Sequence, residues 1–408
     1  MGLEPENLIL KYGAAGSSYP KDTGGPETGF YRSWKPYLIK EGFYNFLLGL
    51  ESYLEFQKKL SLLAEEHLGV SLALSCMVEV NVAGGILLYG KTNHDSQSPI
   101  SIGTSDPLWD AFRKTDPTKI YAVGVSEPGW EGKLRKLSSV VYDGKLSGTK
   151  SFITNGGEAD VIFWVTKSGT DNPVYQVRRQ RESGNTNTES QIVEESFHTE
   201  FTPQVSHLKL TLCEYSIAEN DMVLENYGKL GMELRLKELL SLVSLLIGKT
   251  KKISLENQIV AREREKLVEW RESFLTLCPS YPNGEFLLSG FPYPTDGLLS
   301  ALTSFWDLSS PQELKSIDPD YQLFVWEDSF TNYLIQKKKR TSNDGGRWHV
   351  RGYDHDDQTP VLSLEQRSYL IFLSMKKIEF QQTQKEPQIL LLELYEFLKQ
   401  LYLCLHPF

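Results

Sequence analysis

Two short stretches of the sequence place hydroxyl side chains at the ends of apolar strands. The first, GVSEPGW at residues 124–130, follows an apolar run and brings Ser126 just ahead of a Pro-Gly turn. The second, GTKSFITNGGEAD at residues 148–160, ends a β-type run with Thr154 before Asn-Gly-Gly. Neither stretch is a glycine-rich phosphate loop or a cluster of metal ligands. Their chemistry is therefore what strand ends can present to a planar ligand.

The spacing of apolar residues divides the chain into three parts. From Pro36 to about residue 115 they recur at helical spacing, and the same spacing returns from Leu230. Between residues 120 and 227, short β-branched and aromatic runs are separated by Asp-Gly and Gly-Gly turns, which indicates antiparallel strands. We therefore expect an α+β multidomain protein with an N-terminal helical domain at 1–118, an antiparallel β domain at 119–227 and a C-terminal helical domain at 228–408.

Composition excludes several classes of function. The 408 residues include 53 acidic and 43 basic side chains, and the net charge of -10 argues against a nucleic-acid partner. The four cysteines are scattered without metal-ligand spacing, which fits the reduced thiols of a cytoplasmic protein. No secretory leader is evident, and a mean hydropathy of -0.34 predicts no membrane span.

Taken together, the two strand-end motifs resemble those of the acyl-CoA dehydrogenase family, in which related strands lie against the flavin ring of FAD. The resemblance spans roughly residues 40–260 in domain order, and its specific motifs cover about 121–165. It implies a barrel-like middle β domain and a C-terminal helical bundle. It further implies FAD-dependent α,β-dehydrogenation of an acyl-CoA thioester in fatty acid metabolism, a homo-oligomer, and an electron-transfer flavoprotein as a possible electron acceptor.

Carried over residue by residue, the resemblance places Val125 and Ser126 along one edge of the isoalloxazine ring. The amides of this strand and the Ser126 hydroxyl would then donate to the ring, and such donors stabilise the negative charge of a reduced flavin. Phe152 matches the family's aromatic packing position, and Thr154 matches its hydroxyl near the hydride-accepting nitrogen. The alternative is that Ser126, Phe152 and Thr154 are ordinary residues of a half-buried strand pair.

The resemblance also implies a carboxylate base, for which Glu238 is the candidate. The chain lacks the usual Tyr-Glu-Gly-Thr sequence, and Glu238 stands ten residues before Gly248, as in the minority of members that resemble isovaleryl-CoA dehydrogenase. Helical phase aligns Glu238 with Leu234, away from a polar arc that includes Lys237. A carboxylate on the apolar side would lose hydration and become a stronger base. The alternative is a helix-edge glutamate paired with Lys237 or Arg235.

The sequence departs from the family after the first motif. Where the family has a small Gly-Ser-Asp segment, this chain reads WEGKLRKL, in which Lys133, Arg135 and Lys136 could serve anionic phosphates instead. The helical Arg-x-x-Phe-Gly signature is absent. Two other functions therefore stay open. One is a non-catalytic partner that keeps the fold, and the other is an acyl-CoA-binding protein that lacks flavin.

Overall fold

The computed structural model describes residues 29–66, 69–88, 119–179, 191–197, 199–277 and 294–325. The chain divides into two compact units, Met1–Ile335 and Gln336–Phe408, and every described residue belongs to the first. Within it, helices precede the strands and helices follow them. This order is the one predicted from the change in apolar spacing, while the domain boundaries at 118 and 227 stay predictions.

The described residues of the N-terminal part contain the helices α1 Phe30–Lys40, α2 Tyr53–Ala64 and α3 Gly69–Leu88. Helix α2 begins after Ser52, whose hydroxyl accepts a hydrogen bond from the Glu55 N–H at 3.2 Å and so caps the helix. Helix α3 includes a π-helical segment, Val78–Ala83. In the described part of the chain, α3 is the one helix long and apolar enough to cross a membrane, and it is almost entirely buried by the rest of the fold.

Among the described residues, eight strands form two four-stranded sheets, one ordered β1-β4-β5-β8 and the other β2-β3-β7-β6. Their bounds are β1 Tyr121–Gly124, β2 Val140–Tyr142, β3 Lys145–Thr154, β4 Val161–Val165, β5 Val174–Arg178, β6 Ile192–Phe197, β7 His207–Ser216 and β8 Met222–Leu224. The prediction of a barrel-like domain is wrong, because the two sheets do not close on each other among the described residues.

The prediction of a purely antiparallel domain is also wrong, because β1 and β4 are parallel, with Tyr121 opposite Val161. The other pairs are antiparallel. Period-two alternation identifies strands but does not encode the direction in which they pair. Here β2 and β3 separate β1 from β4 in sequence and pair in the other sheet, so the chain re-enters the first sheet in the same direction.

The C-terminal part is helical over its described residues. It comprises α4 Gly228–Lys249, α5 Lys251–Glu256, α6 Gln258–Leu277, α7 Asp296–Phe305, α8 Leu314–Ile317 and α9 Gln322–Val325. Helix α4 packs against α2, α3 and α6, and its leucines are buried. Residues 326–408, which the sequence predicts to be part of the same helical domain, lie outside the described residues.

Helices α2 and α4 are in backbone contact at Gly248. A Cβ atom at this position would lie 2.0 Å from the Ser61 carbonyl oxygen and 2.9 Å from the Ala64 Cβ. The Ser61 hydroxyl donates to the Ser244 carbonyl at 2.7 Å, one turn earlier in α4. The absence of a side chain at Gly248 therefore sets the distance between the two helices.

We expect Gly248→Ala to lower the free energy of unfolding by at least about 1–3 kcal/mol, because the added methyl group overlaps backbone that cannot move away alone. Thermal and denaturant unfolding measure the effect. Gly297→Ala in α7 is the matched control, since a Cβ there meets only the mobile tip of Glu263, at 2.7 Å. A neutral or stabilising effect at Gly248 would contradict the packing described.

Candidate functional site

The two strand ends singled out from the sequence lie side by side. After β1 ends at Gly124, the chain continues along β3, and the Ser151 N–H donates to the Ser126 carbonyl at 2.8 Å. Ser126 and Thr154 are both half-buried. Neither hydroxyl forms a hydrogen bond within the part of the chain that the structure describes. Two hydroxyls without partners are thus presented from adjacent strands.

A bulge in β3 separates these two hydroxyls. Lys150 pairs with Leu210 of β7 while Ile153 pairs with Leu208, so β3 has one residue more than its partner between these points. Such bulges re-aim side chains and are over-represented beside active sites. Thr154 lies three residues beyond Ser151, on the far side of this bulge.

A buried ion pair joins the two motifs. The Lys150 ammonium lies 2.6 Å from the Glu127 carboxylate, and neither side chain is exposed to solvent. The ammonium also donates to the Val125 carbonyl at 3.2 Å and the Val165 carbonyl at 2.5 Å. One side chain of β3 therefore binds the end of β1 and the end of β4 at once.

Further hydrogen bonds complete the environment of Glu127. Its carboxylate accepts from the Ser138 N–H at 2.5 Å, the Ser138 hydroxyl at 2.7 Å and the Ser139 N–H at 3.2 Å. Burial alone raises the pKa of Glu127, but the Lys150 charge and these hydrogen bonds outweigh it and lower that pKa to about 2. Burial lowers the pKa of Lys150 to about 8, although Glu127 acts in the opposite direction. Both groups are ionised at neutral pH.

Sequence reasoning missed this pair, although each motif contains one of its members. Glu127 is the acid of SEPG and Lys150 is the base of GTKS, so opposite charges in two apolar strand-end segments were the available signal. Charged side chains are almost never buried unless they are paired. One acidic and one basic residue in two apolar segments therefore indicate a buried ion pair.

The Asn-Gly-Gly sequence after β3 has a packing role. Asn155 adopts a left-handed backbone conformation, with φ 61°, which asparagine tolerates better than most residues. Its side-chain amide donates to the Ser75 carbonyl of α3 at 2.9 Å, so the strand end is bound to the helical part. A Cβ on Gly156 would lie 2.6 Å from the Leu208 Cβ. The turn therefore holds β3 close to both α3 and β7.

Phe152 belongs to an aromatic group on the second sheet. Its ring centroid lies 4.6 Å from that of His207 and 5.3 Å from that of Phe197. The ring is half-buried, so part of its surface is still accessible. The structure places Phe152 and Val125 on the two adjoining strands as expected, and contact of either with a flavin stays a prediction.

Glu238 lies on α4 but is not sequestered among leucines. Its carboxylate pairs with the Arg235 guanidinium at 2.7 Å, and about a third of its side chain, 31%, is exposed. Helical phase misled us because the polar arc, represented by Lys237 and Ser241, is itself fully buried. No hydrogen bond or ion pair of the described residues joins Glu238 to the strand-end hydroxyls. Its role as a base stays a prediction.

One neighbour of Glu238 is Tyr227, just before α4. Burial raises the pKa of the Tyr227 phenol, and the charge of the Glu238 carboxylate raises it further. The phenol therefore stays protonated and uncharged beside the carboxylate. Tyr227 was not predicted, since its position relative to Glu238 depends on how α4 begins.

In the basic segment after the first motif, one carboxylate pairs with two of the three cationic side chains. The Glu131 carboxylate lies 3.1 Å from the Lys133 ammonium and 2.5 Å from the Lys136 ammonium. All three side chains are exposed. Lys133 and Lys136 could bind phosphates, as predicted, only if these pairs opened, and Arg135 is in neither pair. The binding of phosphates by the three side chains stays a prediction.

Helices precede and follow the two sheets in the chain, and the fold is acyl-CoA dehydrogenase-like, as the resemblance implied. No model of a protein family matches the sequence, and no curated protein matches it. Solved structures do match. Apo-form PigA gives a TM-score of 0.57 at 15% identity, with 85% of this chain and 99% of PigA covered. The likeness shows a shared fold.

Two further matches have the same fold. The electron transferring flavoprotein of Acidaminococcus fermentans gives a TM-score of 0.56 at 12% identity, covering 83% of this chain and 98% of that protein. The prolyl acyl carrier protein oxidase AnaB gives 0.53 at 11% identity, covering 83% and 99%. PigA has also been solved with FAD and proline, at a TM-score of 0.54 to this chain. The fold is therefore one used by flavoproteins.

We expect Lys150→Met to lower the free energy of unfolding by about 3–5 kcal/mol, because it leaves the buried Glu127 carboxylate without its partner. Adding Glu127→Gln should recover most of this loss, since no unpaired charge then remains. Chemical denaturation of the single and double variants measures both effects. Lys133→Met is the control, because its exposed pair with Glu131 contributes less than about 1 kcal/mol. A single variant as stable as the control would contradict the structural role of the pair.

Proposed function

We propose that this chain is an FAD-dependent oxidoreductase that introduces an α,β double bond into an acyl thioester. The observation that carries the proposal is a pair of half-buried hydroxyls on adjoining strand ends, Ser126 and Thr154, which have no hydrogen-bond partner among the described residues. The solved neighbours named PigA with FAD and proline and prolyl acyl carrier protein oxidase support it.

The residues present fit a flavin ring. The Ser126 and Thr154 hydroxyls would supply hydrogen bonds from adjoining strand ends, and the half-buried Phe152 would supply apolar surface. When bound, FAD supplies the hydride acceptor that no amino acid side chain can replace. The buried Lys150–Glu127 pair would hold the strand that presents Val125 and Ser126 in a fixed position, so these donors need no reorganisation during the reaction.

Glu238 is the proposed base that removes the α-proton of the substrate. In the proposed reaction a carboxylate oxygen of Glu238 takes the α-proton, the β-hydrogen leaves as hydride with its electron pair, and the carbons form a double bond. Partial exposure leaves the Glu238 carboxylate accessible to a substrate. Arg235 is within 2.7 Å and is placed to orient the carboxylate. The neutral phenol of Tyr227 is close enough for the Glu238 charge to raise its pKa.

We propose an acyl-CoA as substrate, with the acyl carrier protein thioester as the alternative that the name of AnaB suggests. An electron-transfer flavoprotein is the proposed electron acceptor, and a homo-oligomer is the proposed assembly. The absorption spectrum of the freshly purified protein tests the class directly, because a bound flavin has visible absorption bands. If the folded protein takes up no FAD, the result would favour the alternative that the chain keeps the fold without catalytic activity.

We expect the double variant Ser126→Ala, Thr154→Val to retain less FAD than the wild type, by at least about tenfold in affinity, because each lost hydrogen bond contributes about 1 kcal/mol. Flavin content after gel filtration and a fluorescence titration measure this. Thr149→Val, on the same strand, is the control, since the Thr149 hydroxyl is bonded to that of Thr211 at 2.9 Å. An unchanged affinity of the double variant for FAD would contradict the proposed position of the flavin ring.

We expect Glu238→Gln to keep its fold and FAD content while its rate of flavin reduction by an acyl thioester falls by 10²-fold or more, since the amide accepts no proton. Stopped-flow measurement of flavin bleaching checks this. Glu265→Gln, at an exposed position of α6, is the control. If the flavin of the Glu238→Gln variant were reduced at near the wild-type rate, Glu238 would not be the base. Its role would then be structural, as the ion-pair partner of Arg235.

A further inference from the structure

Helices α2, α3 and α4 enclose four polar side chains in the apolar core, which we call the amide cluster: Tyr53, Gln57, Asn81 and Ser241. All four are at least nine-tenths buried. The Gln57 amide donates to the Ser241 hydroxyl oxygen at 2.9 Å, and the Asn81 amide donates to the same oxygen at 2.6 Å. The Tyr53 hydroxyl lies beside these three side chains.

Two acceptors of the amide cluster have no partner. The Gln57 Oε1 and Asn81 Oδ1 atoms are buried and accept no hydrogen bond from the residues that the structure describes. Leaving a buried acceptor unsatisfied costs about 1–3 kcal/mol, so such groups are rarely left without a donor. The amide nitrogens of the same two side chains, which come from different helices, both donate to the Ser241 hydroxyl. The cluster therefore has two buried acceptors for which no described residue supplies a donor.

The amide cluster shares helix α4 with the proposed base and helix α3 with the contact that binds the end of β3. Ser241 follows Glu238 by three residues on α4, which is about 4.5 Å of helical rise. Asn81 belongs to the π-helical segment of α3, and such segments occur frequently at functional sites. Six residues earlier in α3, the Ser75 carbonyl accepts from Asn155, which directly follows Thr154. Helices α3 and α4 thus link the cluster to the strand end and to the base.

We propose that the amide cluster binds a hydroxyl group on the distal part of the acyl chain, so that the substrate is a hydroxyacyl thioester. This inference rests on the proposed function. A hydroxyl donates one hydrogen bond and accepts others, which matches unsatisfied amide oxygens beside the Tyr53 and Ser241 hydroxyls. A neutral group is favoured because burying a charge at a site without solvent would cost far more. Gln57 and Asn81 are the residues that determine this specificity.

The probes are two thioesters of pantetheine, the arm that CoA and acyl carrier protein share: 5-hydroxypentanoyl-pantetheine and hexanoyl-pantetheine. They differ only by a hydroxyl in place of a methyl group, and the hydroxyl is four bonds from the α-carbon, a reach comparable to one helical turn. Calorimetry on the full-length protein should show at least tenfold tighter binding of the hydroxy compound. Sites that hydrogen-bond a hydroxyl reject analogues that lack it, whereas apolar pockets discriminate weakly.

Asn81→Leu should abolish this preference by weakening binding of the hydroxy compound and not that of hexanoyl-pantetheine. Gln57→Met carries the same test if Asn81→Leu does not fold. The matched control is Gln176→Leu, because Gln176 is a buried amide of β5 whose Oε1 is also without a partner in the described residues. The control should keep the preference.

Equal binding of the two thioesters by the wild type would overturn the proposal and leave the amide cluster as the site of a buried water only. Failure of both to bind, or a preference that survives in Asn81→Leu, would also overturn it. The proposed function is judged separately, by FAD content and by flavin reduction. Preferential binding without flavin reduction would support the hydroxyl site and count against the dehydrogenase activity.

Discussion

The ion pair between Lys150 and Glu127 is the interaction on which the β domain depends most. Two charges are removed from water there, and their desolvation is offset only because each makes several hydrogen bonds in addition to the pair. Through those bonds Lys150 connects β3 of one sheet to the ends of β1 and β4 in the other sheet. The geometry of the candidate site at Ser126 is therefore a consequence of charge pairing in the core.

A second buried carboxylate connects the helical part to the strands. Glu79, in the π-helical segment of α3, pairs with Lys35 at 2.7 Å and accepts from the Tyr31 hydroxyl at 2.9 Å and the Tyr121 N–H at 3.0 Å. Tyr121 begins β1, and Asn155 at the end of β3 binds the same helix. Helix α3 therefore positions both strands that present the candidate flavin contacts. Its polar side chains give it a role that its apolar composition alone does not indicate.

Helix α4 shows how polar residues can occupy a core that is rich in leucine. Lys237 is fully buried and paired with Glu233, and Arg271 of α6 donates to the Ser61 and Ser244 hydroxyls at 2.5 Å and 3.2 Å. Such groups add little net stability compared with apolar packing, but they restrict how neighbouring helices can be arranged. The position of Glu238 relative to the amide cluster follows from this restriction.

The sequence by itself determined the order of helices, strands and helices, because helix and strand have different apolar periods and glycine turns separate the strands. It also identified the two motifs that meet at Ser126 and Ser151. Only the tertiary structure decided that β1 and β4 are parallel, since pairing direction depends on where the intervening β2 and β3 go. Burial on α4 was likewise undecidable from helical phase, because a helix surrounded on several sides has no single buried face. Ion pairs such as that of Lys150 join residues distant in the chain, and their proximity exists only once the sheets have formed.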